Sequence, residues 1–312
     1  MALQMSSALI LALCACRLIR GLLEFNFELS FPLRDMNVDL NHLHPLITRL
    51  RPLITRLRSV SFLWGKSAWI DWLRPSIPWS QLRSLEFCHT NDAEDVIIRI
   101  LRQTPMLEVL SFDIHCIGAW EQVTMPSLRT LCMVVTLAEE FNDMDVDNVL
   151  RTFMCPSITH LTLARDSWTC ETFDILKRQY NMQKLREARF IGLLAHPVSF
   201  FLRGAPMLRS LVLPADATMD EEALIGISNG TLGQFLWNLA INLPYLNFGE
   251  VLDMMEARKK TVDGLIKNGC SWREEIVSLK DVVIYAKDEG HYKERITALK
   301  EAGISILFVH NS

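Results

Sequence analysis

One six-residue figure recurs along the chain and constrains its fold more than any other feature. Leu82-Arg83-Ser84-Leu85-Glu86-Phe87 has the form apolar-x-x-apolar-x-apolar. The same form opens at Leu57, Leu107, Leu128, Ile158, Leu185 and Leu208, with Ala188 as its one weak member. Successive starts lie 25, 25, 21, 30, 27 and 23 residues apart. In each copy the last two apolar positions alternate with other residues, so they share one face of a short strand. The first apolar residue packs just upstream in the same core. One such unit cannot bury its apolar face alone, whereas stacked neighbours can, and the period is that of leucine-rich repeats. The expected fold is therefore α/β: a leucine-rich-repeat solenoid with a curved parallel sheet backed by helices.

The segments between the copies carry helix signals. Asn91 or Asp92 can cap a helix whose apolar face is Val96, Ile97, Ile100 and Leu101, and Pro105 stops it. Pro105-Met106-Leu107 leads into the next strand, and the same punctuation returns at Pro126, Pro156 and Pro206. A proline there is expected to end the helix and set an extended approach to the strand. Asp143, Asp145 and Asp147 mimic the start of a calcium loop. Asn148 and Met154 stand where that loop needs Gly and Glu, so helix capping is the expected role. Asp220, Glu221 and Glu222 are read the same way, for a helix ending near Gly230.

Three regions follow: an atypical N-terminal cap region over 1–56, the repeats over 57–247, and a charged capping segment over 248–312. In the first, Phe25, Phe27 and Leu29 alternate with Asn26, Glu28 and Ser30 as in a strand. Residues 7–19 are nearly all apolar but short for a bilayer span, and Met1 to Ser7 offers no basic n-region. Ala12, Cys14 and Ala15 could stand near a cleavage site, which leaves a secreted or surface repeat protein as the alternative. The heptad at 45–51 is copied at once over 52–58 and reads as a helix kinked at Pro52. Trp64, Trp69, Trp72 and Trp79 read as packing rather than a binding platform. In the last region, residues 250–301 hold 21 charged side chains in 52 residues, against 47 in the other 260. A helix over 248–267, a strand over 279–284, a helix over 288–302 stopped by Gly303 and a strand over 304–309 are expected there. The β-α-β ending would seal the stack.

Charge and chemistry exclude several classes. The net charge is -4 and basic residues are dispersed, so no affinity for nucleic acid or anionic lipid is implied. The densest basic run, Arg258-Lys259-Lys260, reads as a solvated helix face. Eight cysteines at irregular spacing, without C-x-x-C, read as reduced small hydrophobes rather than a disulfide framework. No P-loop, G-x-G-x-x-G or H-E-x-x-H occurs, so no enzyme, cofactor or metal is expected. His42 and His44 lie two apart without a nearby ligand partner and read as surface residues. An enzyme or small-ligand protein would show itself by a convergent cluster of His160, Glu187 and Arg189.

The repeats themselves imply a site. In a leucine-rich repeat the strands line the concave face, and the residues between apolar positions point out from it. One row is then Ser59, Ser84, Val109, Thr130, His160, Glu187 and Ser210; its neighbour is Ser61, Glu86, Ser111, Cys132, Thr162, Arg189 and Val212. Within these rows Ser84, Glu86, Ser111, Thr130, His160, Thr162, Glu187 and Arg189 are the candidate binding residues for another protein.

The phrases Pro-Met-Leu-Glu-Val-Leu (105–110), Met-Pro-Ser-Leu-Arg-Thr-Leu (125–131) and Ala-Pro-Met-Leu-Arg-Ser-Leu (205–211) resemble the repeat region of fungal, mushroom-type F-box/leucine-rich-repeat proteins. Residues 301–309 look like the close of those chains, and the resemblance covers residues 25–312. It implies a substrate-recognition subunit of an SCF-type ubiquitin ligase, cytoplasmic or nuclear. A Skp-type adaptor is an implied partner only where an F-box lies upstream, and no Leu-Pro F-box opening is evident before the repeats.

Overall fold

Every copy of the figure becomes a strand, and the strands stand side by side in chain order. The computed structural model describes residues 25–30, 57–63, 77–90, 94–114, 121–135, 143–164, 170–192, 197–213, 219–242, 248–267, 276–285 and 292–309. The strands are β1 (Phe25–Ser30), β2 (Leu57–Leu63), β3 (Ser84–Thr90), β4 (Val109–Ile114), β5 (Val123–Thr124), β6 (Thr130–Val135), β7 (Phe153–Met154), β8 (His160–Ala164), β9 (Glu187–Ile191), β10 (Ser210–Val212), β11 (Asn238–Asn242), β12 (Asp281–Tyr285) and β13 (Ser305–Val309). All but β5 and β7 form one 11-stranded sheet in sequence order, with every pairing parallel. β5 and β7 pair with each other in a small second sheet. Among the described residues no helix is long and apolar enough to cross a membrane.

The helices are α1 (Glu94–Leu101), α2 (Asp143–Thr152), α3 (Cys170–Gln179), α4 (Val198–Gly204), α5 (Glu221–Asn229), α6 (Phe248–Lys267) and α7 (Lys293–Glu301). They back one face of the sheet. Leu85, Leu110, Leu131, Leu161, Ala188 and Leu211 form one in-register row on that face, and all are buried. They belong to the same buried cluster as Val96, Ile97, Ile100 and Leu101 of α1, which are the four residues the periodicity picks out. Aromatic rings join strand to helix further along. Phe190 of β9 meets Phe201 of α4 edge-on at 4.9 Å and Phe173 of α3 at 6.3 Å. Trp79 is buried, as packing requires. Cys132 is half-buried and Cys155 buried, both as free thiols. Burial pushes the Cys155 thiol far up, so it packs as a neutral hydrophobe.

The prolines before the strands act differently from expectation. Each heads a turn in which the first leucine or isoleucine of the figure donates back three residues: Leu107 to Thr104, Leu128 to Met125, Ile158 to Cys155 and Leu208 to Ala205, at 3.1–3.3 Å. Proline favours the second position of such a turn because its φ is already set there. The approach to the strand is thus folded rather than extended.

One whole unit lies beyond the seven copies of the figure given above. Leu236-Trp237-Asn238-Leu239-Ala240-Ile241 is another copy of the figure, and it forms β11. Leu236, Leu239 and Ile241 are fully buried. With β11 in place, β12 and β13 continue the same sheet, so the capping segment is built onto the stack directly.

Arg258 fastens that junction. It stands on α6 but is fully buried, contrary to the solvated face expected for Arg258-Lys259-Lys260. Lys260 does remain exposed. The Arg258 guanidinium donates to five main-chain carbonyls: Val277, Ile227, Gly233, Gln234 and Leu236, at 2.8–3.2 Å. Burial pulls its pKa down from 12.5 to about 10, which leaves it a cation at neutral pH. A planar five-donor fork can satisfy several carbonyls that no single lysine reaches.

Asp220 caps a helix as read from sequence, and its carboxylate serves two. Asp220 is the N-cap of α5, accepting from Ala223 N at 3.0 Å, and its other oxygen accepts from Ser199 N in the first turn of α4 at 3.0 Å. Gly230 closes α5 in the left-handed region at φ 80°. Burial alone would raise the Asp220 pKa, but the hydrogen bonds from Ser199 and Ala223 outweigh it and hold the carboxyl below its ordinary value. Because the folded pKa is depressed, its stabilisation is complete above about pH 4 and is lost as pH falls through the folded value. Asp220→Ala is expected to cost about 1–2 kcal/mol at pH 7. In chemical denaturation the gap between variant and parent should narrow towards pH 3; a gap that stays constant would place the loss in packing instead.

On the helical side, three ion pairs between residues 102 and 222 share one orientation, while Arg295 of α7 reaches back to Asp253 and Glu256 of α6 in the opposite one. Arg102, just past α1, pairs with Glu121; Arg151 at the end of α2 pairs with Glu171 at the start of α3; Arg203 at the end of α4 pairs with Glu222 at the start of α5. Both members of a helix pair also sit favourably with the helix dipoles.

Residues 45–56 of the tandem heptads, residues 7–19, His42, His44, Trp64, Trp69, Trp72, Asn91 and Asp92 lie outside the described residues, while Leu57 and Arg58 at the end of the second heptad open β2. Among the described residues no group of three or more His, Cys, Asp or Glu is placed to hold a metal ion. Asp147 of the calcium-like run is instead buried and accepts a hydrogen bond from Thr172 Oγ1 at 2.7 Å.

Candidate functional site

Two rows of side chains cover the sheet face turned away from the helices, and they are the two rows drawn from the sequence. Cα register runs Ser59, Ser84, Val109, Thr130, His160, Glu187, Ser210 without a slip, then continues through Asn238, Asp281 and Ser305. The second runs Ser61, Glu86, Ser111, Cys132, Thr162, Arg189, Val212 and continues through Ala240, Val283 and Leu307. A one-residue slip would have turned every leucine outwards, so the buried leucine row fixes this register. Ser84, Glu86, Ser111, Thr130, His160 and Thr162 are half-buried, and Glu187 and Arg189 are exposed.

The surface changes character along its length. From β3 to β6 it is small and mostly uncharged, with Glu86 the exception. At β8 and β9 charge enters. His160 Nε2 lies 3.4 Å from Glu187 Oε1, and its Nδ1 is 2.9 Å from Thr159 Oγ1, which orients the ring. Towards β13 it becomes more apolar, with Leu307 58 % exposed.

No family model matches this chain, and no curated protein matches it at a significant level.

The chemistry therefore rests on the residues. His160 and Glu187 come together as adjacent-strand neighbours, but Arg189 takes part in no ion pair among the described residues. The His160 and Glu187 side chains are 42 % and 55 % exposed, so theirs is a surface contact worth less than about 1 kcal/mol. It lacks the enclosure of a ligand or catalytic pocket. Two grooves of about 540 and 480 Å³ lie on the helical side instead, one lined by Phe173, Phe200 and Arg203, the other by Leu224, Ile225 and Asp253. Neither includes a residue of the two rows.

One motif escapes the sequence reading. Gly226-Ile227-Ser228-Asn229-Gly230 spells G-x-S-x-G. A nucleophile elbow requires a sharp strand-to-helix turn. Here the string ends α5, and Ser228 Oγ donates to Ile225 O at 2.7 Å as a local helix bond. Gly226 is needed for another reason: a Cβ there would collide with the Leu232 side chain at 2.6 Å.

Proposed function

We propose that the chain is a non-catalytic protein-interaction scaffold of the leucine-rich-repeat kind, binding another protein through the open, concave face of its sheet. The double row of mostly small and polar side chains from β3 to β9, part of a register unbroken from β2 to β13 on the helix-free face, carries this reading. Small side chains let a partner's surface approach the strands, while Glu86, Glu187 and Arg189 set its charge pattern. The resemblance to F-box/leucine-rich-repeat proteins extends the proposal to a cytoplasmic or nuclear substrate receptor of an SCF-type ubiquitin ligase, with a Skp-type adaptor as second partner.

A photo-crosslinking amino acid at Thr162, on the open face, is expected to trap one discrete protein in cells. The same group at Lys260, on the helical side, should not. Adding Glu187→Arg with Arg189→Glu should remove the Thr162 product. Equal products from both positions would refute the concave-face assignment. Co-elution of the full chain with a purified Skp-type adaptor tests the ligase role separately; its absence would remove that role and leave the scaffold.

A further inference from the structure

A second surface runs along the rim where the strands begin. At the second position of each unit one carbonyl accepts from two N–H groups of the next unit. Arg129 O accepts from Thr159 and His160, Thr159 O from Arg186 and Glu187, and Arg186 O from Arg209 and Ser210. Arg209 O accepts from Trp237 and Asn238, and Trp237 O from Lys280 and Asp281. This ladder sets Arg129, Thr159, Arg186, Arg209, Trp237 and Lys280 one behind another, about 4.8 Å apart per strand. The same ladder begins at Arg83 and Glu108, which pair with each other; from Arg129 onwards the row holds four cations and no acid.

All four cations are exposed, and among the described residues none takes part in an ion pair. That sets them apart from Arg83, Arg102, Arg151, Arg203 and Arg295, each of which meets a carboxylate. Repulsion along such a row is a cost in the free protein that an anionic partner would relieve. Apolar surface accompanies the charge: Met207 is 40 % exposed just ahead of Arg209, and Trp237 is half-buried beside it.

We propose that this rim docks an extended acidic segment of a partner polypeptide, its carboxylates on Arg129, Arg186, Arg209 and Lys280 and an apolar side chain against Met207 and Trp237. From Arg129 to Lys280 the row spans five strand spacings, about 24 Å, which about seven extended residues cover. Arginine suits this task because its fork grips a carboxylate with two bonds. A peptide fits better than a nucleic acid. Glu187 and Asp281 stand immediately beside the row, and a continuous phosphate chain would meet them, whereas carboxylates on alternate residues step past. The inference is independent of the concave-face reading, since either surface can be occupied alone.

The test uses the full chain and a fluorescein-labelled octapeptide of alternating Glu and Leu, followed by anisotropy at low and physiological salt. An alternating Lys and Leu octapeptide and a twelve-nucleotide oligo-dT are the comparison probes. The acidic peptide is expected to bind, and Arg186→Glu with Arg209→Glu to weaken it at least about tenfold. Arg178→Glu with Lys260→Glu makes the same charge change on the helical side and should alter affinity less than about twofold. Should the rim reversal not fold, Arg186→Gln with Arg209→Gln gives the same reading with a smaller loss. Equal weakening by the rim and helical-side variants would overturn the proposal, as would binding of the Lys peptide. Oligo-dT binding as tightly as the acidic peptide would assign the rim to nucleic acid and overturn it as well.

Discussion

Replacing Arg258 with methionine is expected to lower the unfolding free energy by about 3–5 kcal/mol. Methionine fills much of the space but donates to none of the five carbonyls that the guanidinium now serves. Buried carbonyls without donors cost far more than the net value of the bonds themselves. Arg258→Lys keeps the charge but offers one ammonium in place of a fork, so roughly half of the loss should return. The location of the damage is as diagnostic as its size. Units in a stack are stabilised by their neighbours, so hydrogen exchange should rise in β11, β12, α6 and α7 while β3 to β6 keep their protection. A loss below about 1 kcal/mol, or protection lost evenly along the sheet, would show that the residue does not fasten this junction.

Phe190→Ala is expected to cost about 3–5 kcal/mol by a different route. The ring is 1 % exposed and packs edge-on against Phe201 and Phe173, so its removal opens a cavity shared by β9, α3 and α4. Rings held in such contacts add about 0.5–1.5 kcal/mol each beyond burial. Phe190→Leu should recover a large part of the loss because it fills much of the hole. The injury lies mid-stack, so denaturation should become broader, with probes placed before β8 and after β10 reporting separate midpoints. A single sharp transition, shifted but unbroken, would mean that the sheet transmits its stability past a damaged unit.

The parts legible in the sequence are those set by short-range alternation. The register of the two open-face rows could be read in advance because each leucine figure repeats the same offsets, and burial of the leucines forbids any slip. β11 escaped notice although Leu236, Leu239 and Ile241 keep the pattern. No proline precedes it; Gly233, at φ 56°, makes the turn there, with Leu236 N donating to its carbonyl at 2.9 Å. Helix α4 is hard to read for another reason: Val198, Phe200, Phe201 and Leu202 form a short, bulky apolar run that fits a buried strand equally well. Arg258 was the least legible of all. Nothing local distinguishes a buried arginine from the lysines beside it, because its partners lie 19 to 31 residues away and are all main-chain atoms.

The ion pairs on the helical side have a consequence beyond their small energies. In the three between residues 102 and 222 the cation belongs to the earlier unit and the acid to the later one, whereas between α6 and α7 the order reverses, so this part of the back behaves like a train of couplings with distinct front and rear ends. A unit inserted behind Arg151 or Arg203 would match only if its helix opens with an acid, as α3 does with Glu171 and α5 with Glu222; α4, which has none in its first turn, would not. An inverted or misordered neighbour would bring two arginines or two glutamates together. Each coupling contributes only about 0.2–1 kcal/mol, so the arrangement governs which neighbour is accepted rather than how firmly it is held.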